Sequence, residues 1–174
     1  PLHLLECCMI SDGGGAVVIA SADVARDTRK RPVWILGAGE ATKYPENGGD
    51  VTISAAAQSG PRAFAEAGIR PADIDICMIY DSFSITVLTI LEDLGFCKKG
   101  EGGPFVEAGQ ITYGGRIPIN THGGMLSYAH PGLPGGFFHI VEMVRQLRGE
   151  AGGRQVAGAE LALCHSLGGG FATK

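Results

Sequence analysis

The run from Asn120 to Gly136, Asn-Thr-His-Gly-Gly-Met-Leu-Ser-Tyr-Ala-His-Pro-Gly-Leu-Pro-Gly-Gly, holds five glycines and two prolines. Punctuation that dense interrupts helices and ladders, so the stretch has to fold mainly as turns. Directly behind it, Phe137 to Leu147 repeats apolar residues at helical spacing. That pattern predicts a helix with Ile140, Met143, Val144 and Leu147 inward and Glu142, Arg145 and Arg148 outward. A glycine-rich loop therefore delivers His130 to the N-terminal end of a helix. Backbone N–H groups and the positive end of the helix dipole there favour an anionic oxygen. A histidine in that place can pass a proton at neutral pH. Together they point to chemistry in which a carbonyl oxygen gains negative charge; a plain turn carrying a chance histidine is the competing reading.

Around this loop, strand-like and helix-like segments alternate. Ala16–Ala20 and Val33–Gly37 are short apolar runs that read as strands, separated by the charged segment Asp23–Arg31, a solvated connector. Between Ser54 and Gly68 the alanines and Phe64 recur at helical spacing, and Gly68 lies where a helix stops. Asp75–Tyr80 is a further apolar strand, and Ser84–Phe96 repeats helical periodicity through Val87, Leu88, Leu91 and Leu94. Lys98–Gly136 shows no strong element of its own. Glu160–His165 and Gly169–Lys174 read as two closing strands. This order predicts a layered α/β fold with a five-stranded mixed sheet flanked by helices.

Composition narrows the classes of function. A chain of 174 residues suits one domain, with part of another. Its net charge of −4 offers no basic footprint for nucleic acid. No apolar run reaches the ~18 residues that a membrane-spanning helix needs. Cys7, Cys8, Cys77, Cys97 and Cys164 are an odd set without C-x-x-C spacing, which argues against a metal site or a disulfide framework. A reducing cytoplasm fits them best.

In such sheets ligands gather outside the carboxyl ends of strands. Tyr80-Asp81-Ser82 follows one strand, His165-Ser166 follows another, and the His130 loop falls between them in the chain. Joint arrival at one edge is the expectation, although a buried strand often ends in a polar residue and His165 alone suits a core position.

These residues also form an ordered series of motifs: Tyr80-Asp-Ser-Phe, Lys99-Gly-Glu-Gly-Gly, Thr112-Tyr-Gly-Gly-Arg-Ile-Pro-Ile-Asn120, Gly123-Gly, His130-Pro-Gly, Gln146-Leu-Arg-Gly-Glu-Ala, Gln155-Val and His165-Ser-Leu-Gly. From about Met9 onward, the series strongly resembles the thiolase superfamily, in the branch of sterol-carrier-protein-x thiolases and lipid-transfer-protein aldolases. The resemblance places residues 1–30 at the end of a thiolase N-terminal half and residues 31–174 in the C-terminal domain. It implies coenzyme A as part of a thioester substrate with no bound cofactor, and homodimers or dimers of dimers. It also implies that the missing N-terminal half, which carries the nucleophilic cysteine of thiolases, completes the site. Cys7 and Cys8 then read as core residues.

Where the sterol-carrier thiolases have His-Asp-Cys-Phe, this chain has Tyr80-Asp81-Ser82-Phe83. A serine hydroxyl is a far weaker acid than a thiol of pKa about 8.5, so the usual Claisen proton shuttle is impaired. A phenol can instead hydrogen-bond an oxyanion or exchange a proton with a substrate hydroxyl. Tyr80, Tyr128 and His130 resemble the pattern of thiolase-like retro-aldolases that shorten steroid side chains. The resemblance thus implies Tyr80, Tyr128 and His130 as catalytic and Asp81, Ser82, Asn120 and His165 as supporting, with Asn120 orienting a loop or a water. Tyr113 is expected to stabilise a turn, and His122 and His139 to be exposed or packing residues. A small OB-fold protein is the partner implied for the aldolase reading. The alternatives are an acetyl-CoA acetyltransferase whose cysteine lies in the absent half, and a non-catalytic thiolase-fold subunit.

Overall fold

A computed structural model describes residues 3–43, 50–132, 134–168 and 172–173. The centre is a pair of parallel strands, β1 (Ile76–Met78) and β2 (Ala162–Cys164), in register Ile76↔Ala162, Cys77↔Leu163 and Met78↔Cys164. All three β1 residues are fully buried, as befits an unbroken apolar run covered on both faces. On one side lie α2 (Ala56–Ala67) and α3 (Ser84–Asp93), after the short exposed α1 (Ala22–Arg26). Phe64, Ile74, Ile79, Ile90, Leu91 and Ile117 fill the core between them. Helices α4 (Gly102–Glu107), α5 (Gly124–Ser127) and α6 (Gly135–Arg148) complete the crossover to β2. A short antiparallel pair, β3 (Leu167–Gly168) and β4 (Ala172–Thr173), ends the chain. Among the described residues no helix is long and apolar enough to cross a membrane.

The layered α/β class and the three long helices agree with the sequence pattern, including the stop at Gly68, whose φ of 68° is left-handed. Other expectations need correcting. Among the described residues the strands form two two-stranded ladders rather than one five-stranded sheet. Ala16–Ala20 and Val33–Gly37 join neither ladder, and Val18 and Ile19 are 95% and 77% exposed. An apolar run becomes a strand only when another segment supplies hydrogen bonds, and no described segment does so here. The connector 23–31 begins inside α1, and the span 98–136 contains α4 and α5. Part of the expected strand 169–174 lies outside the described residues.

Helix α6 departs furthest from its pattern. Its buried stripe is Gly135, His139, Glu142 and Gln146, while Ile140, Met143, Val144 and Leu147 are only half-buried. Glu142, expected outward, is 2% exposed. Its carboxylate accepts bonds from Thr121 Oγ1 (2.9 Å), Gln146 Nε2 (3.2 Å) and Arg154 Nη2 (2.9 Å). Burial pushes the Glu142 carboxyl up, but Arg154, Thr121 and Gln146 together outweigh it and hold it below the usual range.

Candidate active site

Because β1 and β2 run parallel, their carboxyl ends deliver Tyr80 and His165 to the same side of the layer. The end of β1 is held by Asn120, whose Oδ1 accepts the Ile79 N–H and whose Nδ2 donates to the Ile79 carbonyl, both at 2.8 Å. With φ of 45°, Asn120 turns back on the strand, and its own N–H donates to the Cys77 carbonyl at 3.1 Å. Its amide thus orients the strand end. Tyr80 leaves this clamp with its Oη 2.7 Å from His130 Nε2 and the two rings edge to face, centroids 5.6 Å apart. Burial, with the nearby Cys8 and Asp81, raises the Tyr80 pKa, so the phenol keeps its proton at neutral pH.

Asp81 turns the other way, into the interior. Its Oδ1 accepts the Met125 N–H at 2.7 Å and its Oδ2 the Leu126 N–H at 3.4 Å. A helix N-terminus therefore does receive an anionic oxygen, as expected of this loop, but the helix is α5 and the oxygen is the chain's own. Burial raises the Asp81 pKa, and the two amides oppose the rise. The approach requires glycine at 124: its φ is 65°, and a Cβ there would run into the Asp81 carboxylate. Gly124→Ala should cost about 2–4 kcal/mol, from left-handed strain plus the displaced carboxylate. Thermal unfolding checks it: the melting temperature should fall by about 5–15 °C, and an unchanged one would show that the carboxylate moves freely.

Behind the pair, a file of rings runs inward. His139, fully buried, lies edge to face with Tyr80 (6.4 Å between centroids) and with His122 (5.3 Å). His122 stacks at a tilt on Tyr128 (5.3 Å), which meets Phe138 (5.4 Å). His139 Nε2 is 3.8 Å from Asp81 Oδ1, short of a hydrogen bond, and both its ring nitrogens are buried without a partner. Tyr128, 58% exposed, opens into a cavity of about 350 Å³ lined also by Gly14, Gly15, Arg145 and Arg154.

Of the expected site residues, Tyr80 and His130 are in direct contact, and Tyr128 reaches them only through His122 and His139. Ser82 is half-buried and its carbonyl accepts the Cys8 N–H at 3.0 Å. His165 is buried, its N–H donating to the Met78 carbonyl at 2.8 Å, and so sits in the packing rather than on the open side. The phenol of Tyr113 donates to the Thr121 and Arg154 carbonyls at 3.2 Å, the turn-stabilising place expected of it. The bridging position of His139 was the part missed. Its signal was present, since residues 139, 142 and 146 are polar at helical spacing.

None of four thiols is poised to attack. Burial raises Cys8, Cys77 and Cys97, and pushes Cys164 up to about 12. Cys7 and Cys8 are half-buried rather than core. Among the described residues no cluster of histidine, cysteine and carboxylate could hold a metal ion.

Known proteins resemble this chain in sequence and fold. The chain is 42% identical to an acetyl-CoA acetyltransferase of Methanothermobacter thermautotrophicus over 97% of its own length and 45% of that protein's. It is also 42% identical to a 17-hydroxy-3-oxo-4-pregnene-20-carboxyl-CoA lyase of Mycobacterium tuberculosis, over 94% of this chain and 43% of the other. A solved structure, the Ltp2-ChsH2(DUF35) aldolase, superposes with a TM-score of 0.87 at 33% identity, covering 99% of this chain and 46% of that one. The chain thus spans less than half the length of these relatives. The family model for the thiolase C-terminal domain-like proteins matches residues 9–174, and the chain belongs to that family.

Proposed function

We propose that this chain carries the proton-transfer groups of an acyl-CoA carbon–carbon lyase acting on a β-hydroxyacyl-CoA. The observation that carries the reading is the 2.7 Å contact between Tyr80 Oη and His130 Nε2 at the carboxyl end of β1, with serine rather than cysteine at position 82. In the retro-aldol step the substrate's β-hydroxyl gives its proton to the Tyr80–His130 pair. The bond between Cα and Cβ breaks, Cβ becomes a ketone carbon, and the electron pair passes to the thioester as an enolate. The enolate then takes a proton on Cα and leaves as the shorter acyl-CoA. The phenol meets the substrate protonated, so the imidazole supplies the acceptor.

Tyr128, exposed two residues before His130, is assigned the hydrogen bond to the enolate oxygen. Asp81 and Asn120 hold the Tyr80 loop, and Ser82 and His165 back it. Coenzyme A enters as part of the substrate. The names of the lyase and aldolase relatives support an acyl group of steroid type. Residues 1–30 then end an N-terminal half whose remainder covers the exposed Val18 and Ile19, and residues 31–174 form the C-terminal domain. The assembly is a homodimer or a dimer of dimers, working in the reducing cytoplasm. An OB-fold partner takes the place that ChsH2(DUF35) has in the name of the solved aldolase.

The 42% identity to an acetyltransferase favours one second reading, a Claisen enzyme whose nucleophilic cysteine lies outside this chain. The full-length protein with its partner decides between them. A lyase consumes β-hydroxyacyl-CoA without free coenzyme A, whereas an acyltransferase requires free coenzyme A and a β-ketoacyl-CoA. Tyr128→Phe should lower lyase turnover by at least roughly tenfold, as loss of a donor to the enolate oxygen would. A rate equal to wild type in that variant would remove Tyr128 from the mechanism.

A further inference from the structure

A segment outside the central layer ties the two members of the pair together. Cys7 bridges Phe83 in antiparallel fashion, and the Cys8 N–H donates to the Ser82 carbonyl at 3.0 Å. Three residues on, Ile10 bridges His130 in parallel fashion, and the Ser11 N–H donates to the His130 carbonyl at 3.3 Å. Ser11 also contributes its side chain: Oγ accepts the His130 N–H at 2.8 Å. The Tyr80 loop and the His130 loop thus hang from the two ends of one strap, about 10 Å long at extended rise.

Burial does little to hold this strap in register. Met9 and Ile10, between the two anchors, are 72% and 94% exposed. Its position relative to His130 rests on hydrogen bonds, of which the Ser11 hydroxyl makes the shorter. Without it the half-buried His130 N–H loses its acceptor. The 2.7 Å bond between Tyr80 and His130 has little slack for such a shift.

We propose that Ser11 is a positioning residue of the Tyr80–His130 pair, and that the strap Cys8–Ser11 sets the separation of the two loops. The inference rests on the reading of that pair as the proton-transfer group, and adds a residue that touches neither substrate nor reacting atom.

The test uses Ser11→Ala and Ser11→Thr in the full-length protein with its partner, read by steady-state cleavage and by NMR of the His130 ring nitrogens. Ser11→Ala should lower kcat about tenfold with KM within about threefold, since misplacement acts on the reacting geometry. The pH dependence of kcat should move by about half a pH unit or more, because the bond to Tyr80 stabilises one protonation state. Ser11→Thr, which keeps the hydroxyl, should restore both, and the His130 Nε2 signal should move toward a free imidazole in the alanine variant alone. An alanine variant with the wild-type pH profile and Nε2 signal overturns the proposal, as does a threonine variant that fails alongside it. If the wild type cleaves no β-hydroxyacyl-CoA, only the lyase reading falls, and the Nε2 comparison still decides the role of Ser11.

Discussion

Replacing His130 by alanine should lower cleavage of a β-hydroxyacyl-CoA by about 10²–10⁴-fold, the range for loss of a general base or acid. The geometry explains why the loss should be this large. Nε2 of His130 lies 2.7 Å from the oxygen of the Tyr80 phenol, whose pKa is raised by burial. Without the imidazole, the phenol has no described partner to take the substrate's proton onward. Tyr80→Phe removes the other end of the same bond and should fall in the same range. The double variant should be little worse than the poorer single one, because groups acting as a unit are not additive. KM should change far less than kcat, and the urea midpoint should stay near that of the wild type. If the two effects multiply instead, each residue acts alone and the pair is not the unit of chemistry.

The parts of this fold that rest on local pattern were legible in the sequence. Helices α2, α3 and α6 show helical periodicity, and β1 is an unbroken apolar run. Short α4 and α5 were not, since four to six residues carry too little periodicity and are held by tertiary bonds such as Asp81 to Met125. Glu142 departs from its pattern for a related reason. A lone buried carboxylate is costly, so an outward position was the natural expectation, yet Thr121 and Arg154 compensate for it from 21 and 12 residues away. The site shows the same division. Tyr80 and His130 lie 50 residues apart, and the strand-end rule and the ordered motifs, not local spacing, brought them together. The rings between Tyr80 and Tyr128 come from α6 and the turn before α5, and no spacing rule linked those histidines to a tyrosine on another element.

The buried histidines also set how the protein responds to acid. Burial, aided by the nearby His122, pushes His139 down to about 3, and burial pushes His165 down to about 4. In the unfolded chain both return to about 6.5. Above that pH both are neutral in either state, and their burial costs nothing in protonation. As the pH falls below it, the unfolded chain takes up protons that the folded chain refuses, so stability drops continuously toward pH 4. A one-proton difference between the two states costs about 1.36 kcal/mol for every pH step of one, so each histidine should remove on the order of 3 kcal/mol by pH 4. Glu142, held below the usual range, adds to the loss at still lower pH. Asp81, raised by burial, opposes it, because the folded state takes that proton first. The sum of the two histidines, roughly 6 kcal/mol, rivals the whole stability of an ordinary domain, about 5–15 kcal/mol. Urea midpoints at pH 7, 5.5 and 4 should therefore fall steeply. His139→Leu should flatten the slope by about half whatever it does to the midpoint at pH 7, since only the titrating group sets the pH dependence. The ring signals of residues 139 and 165 should not titrate near pH 6.5. If they do, water reaches those rings, and their burial is not what sets the acid response.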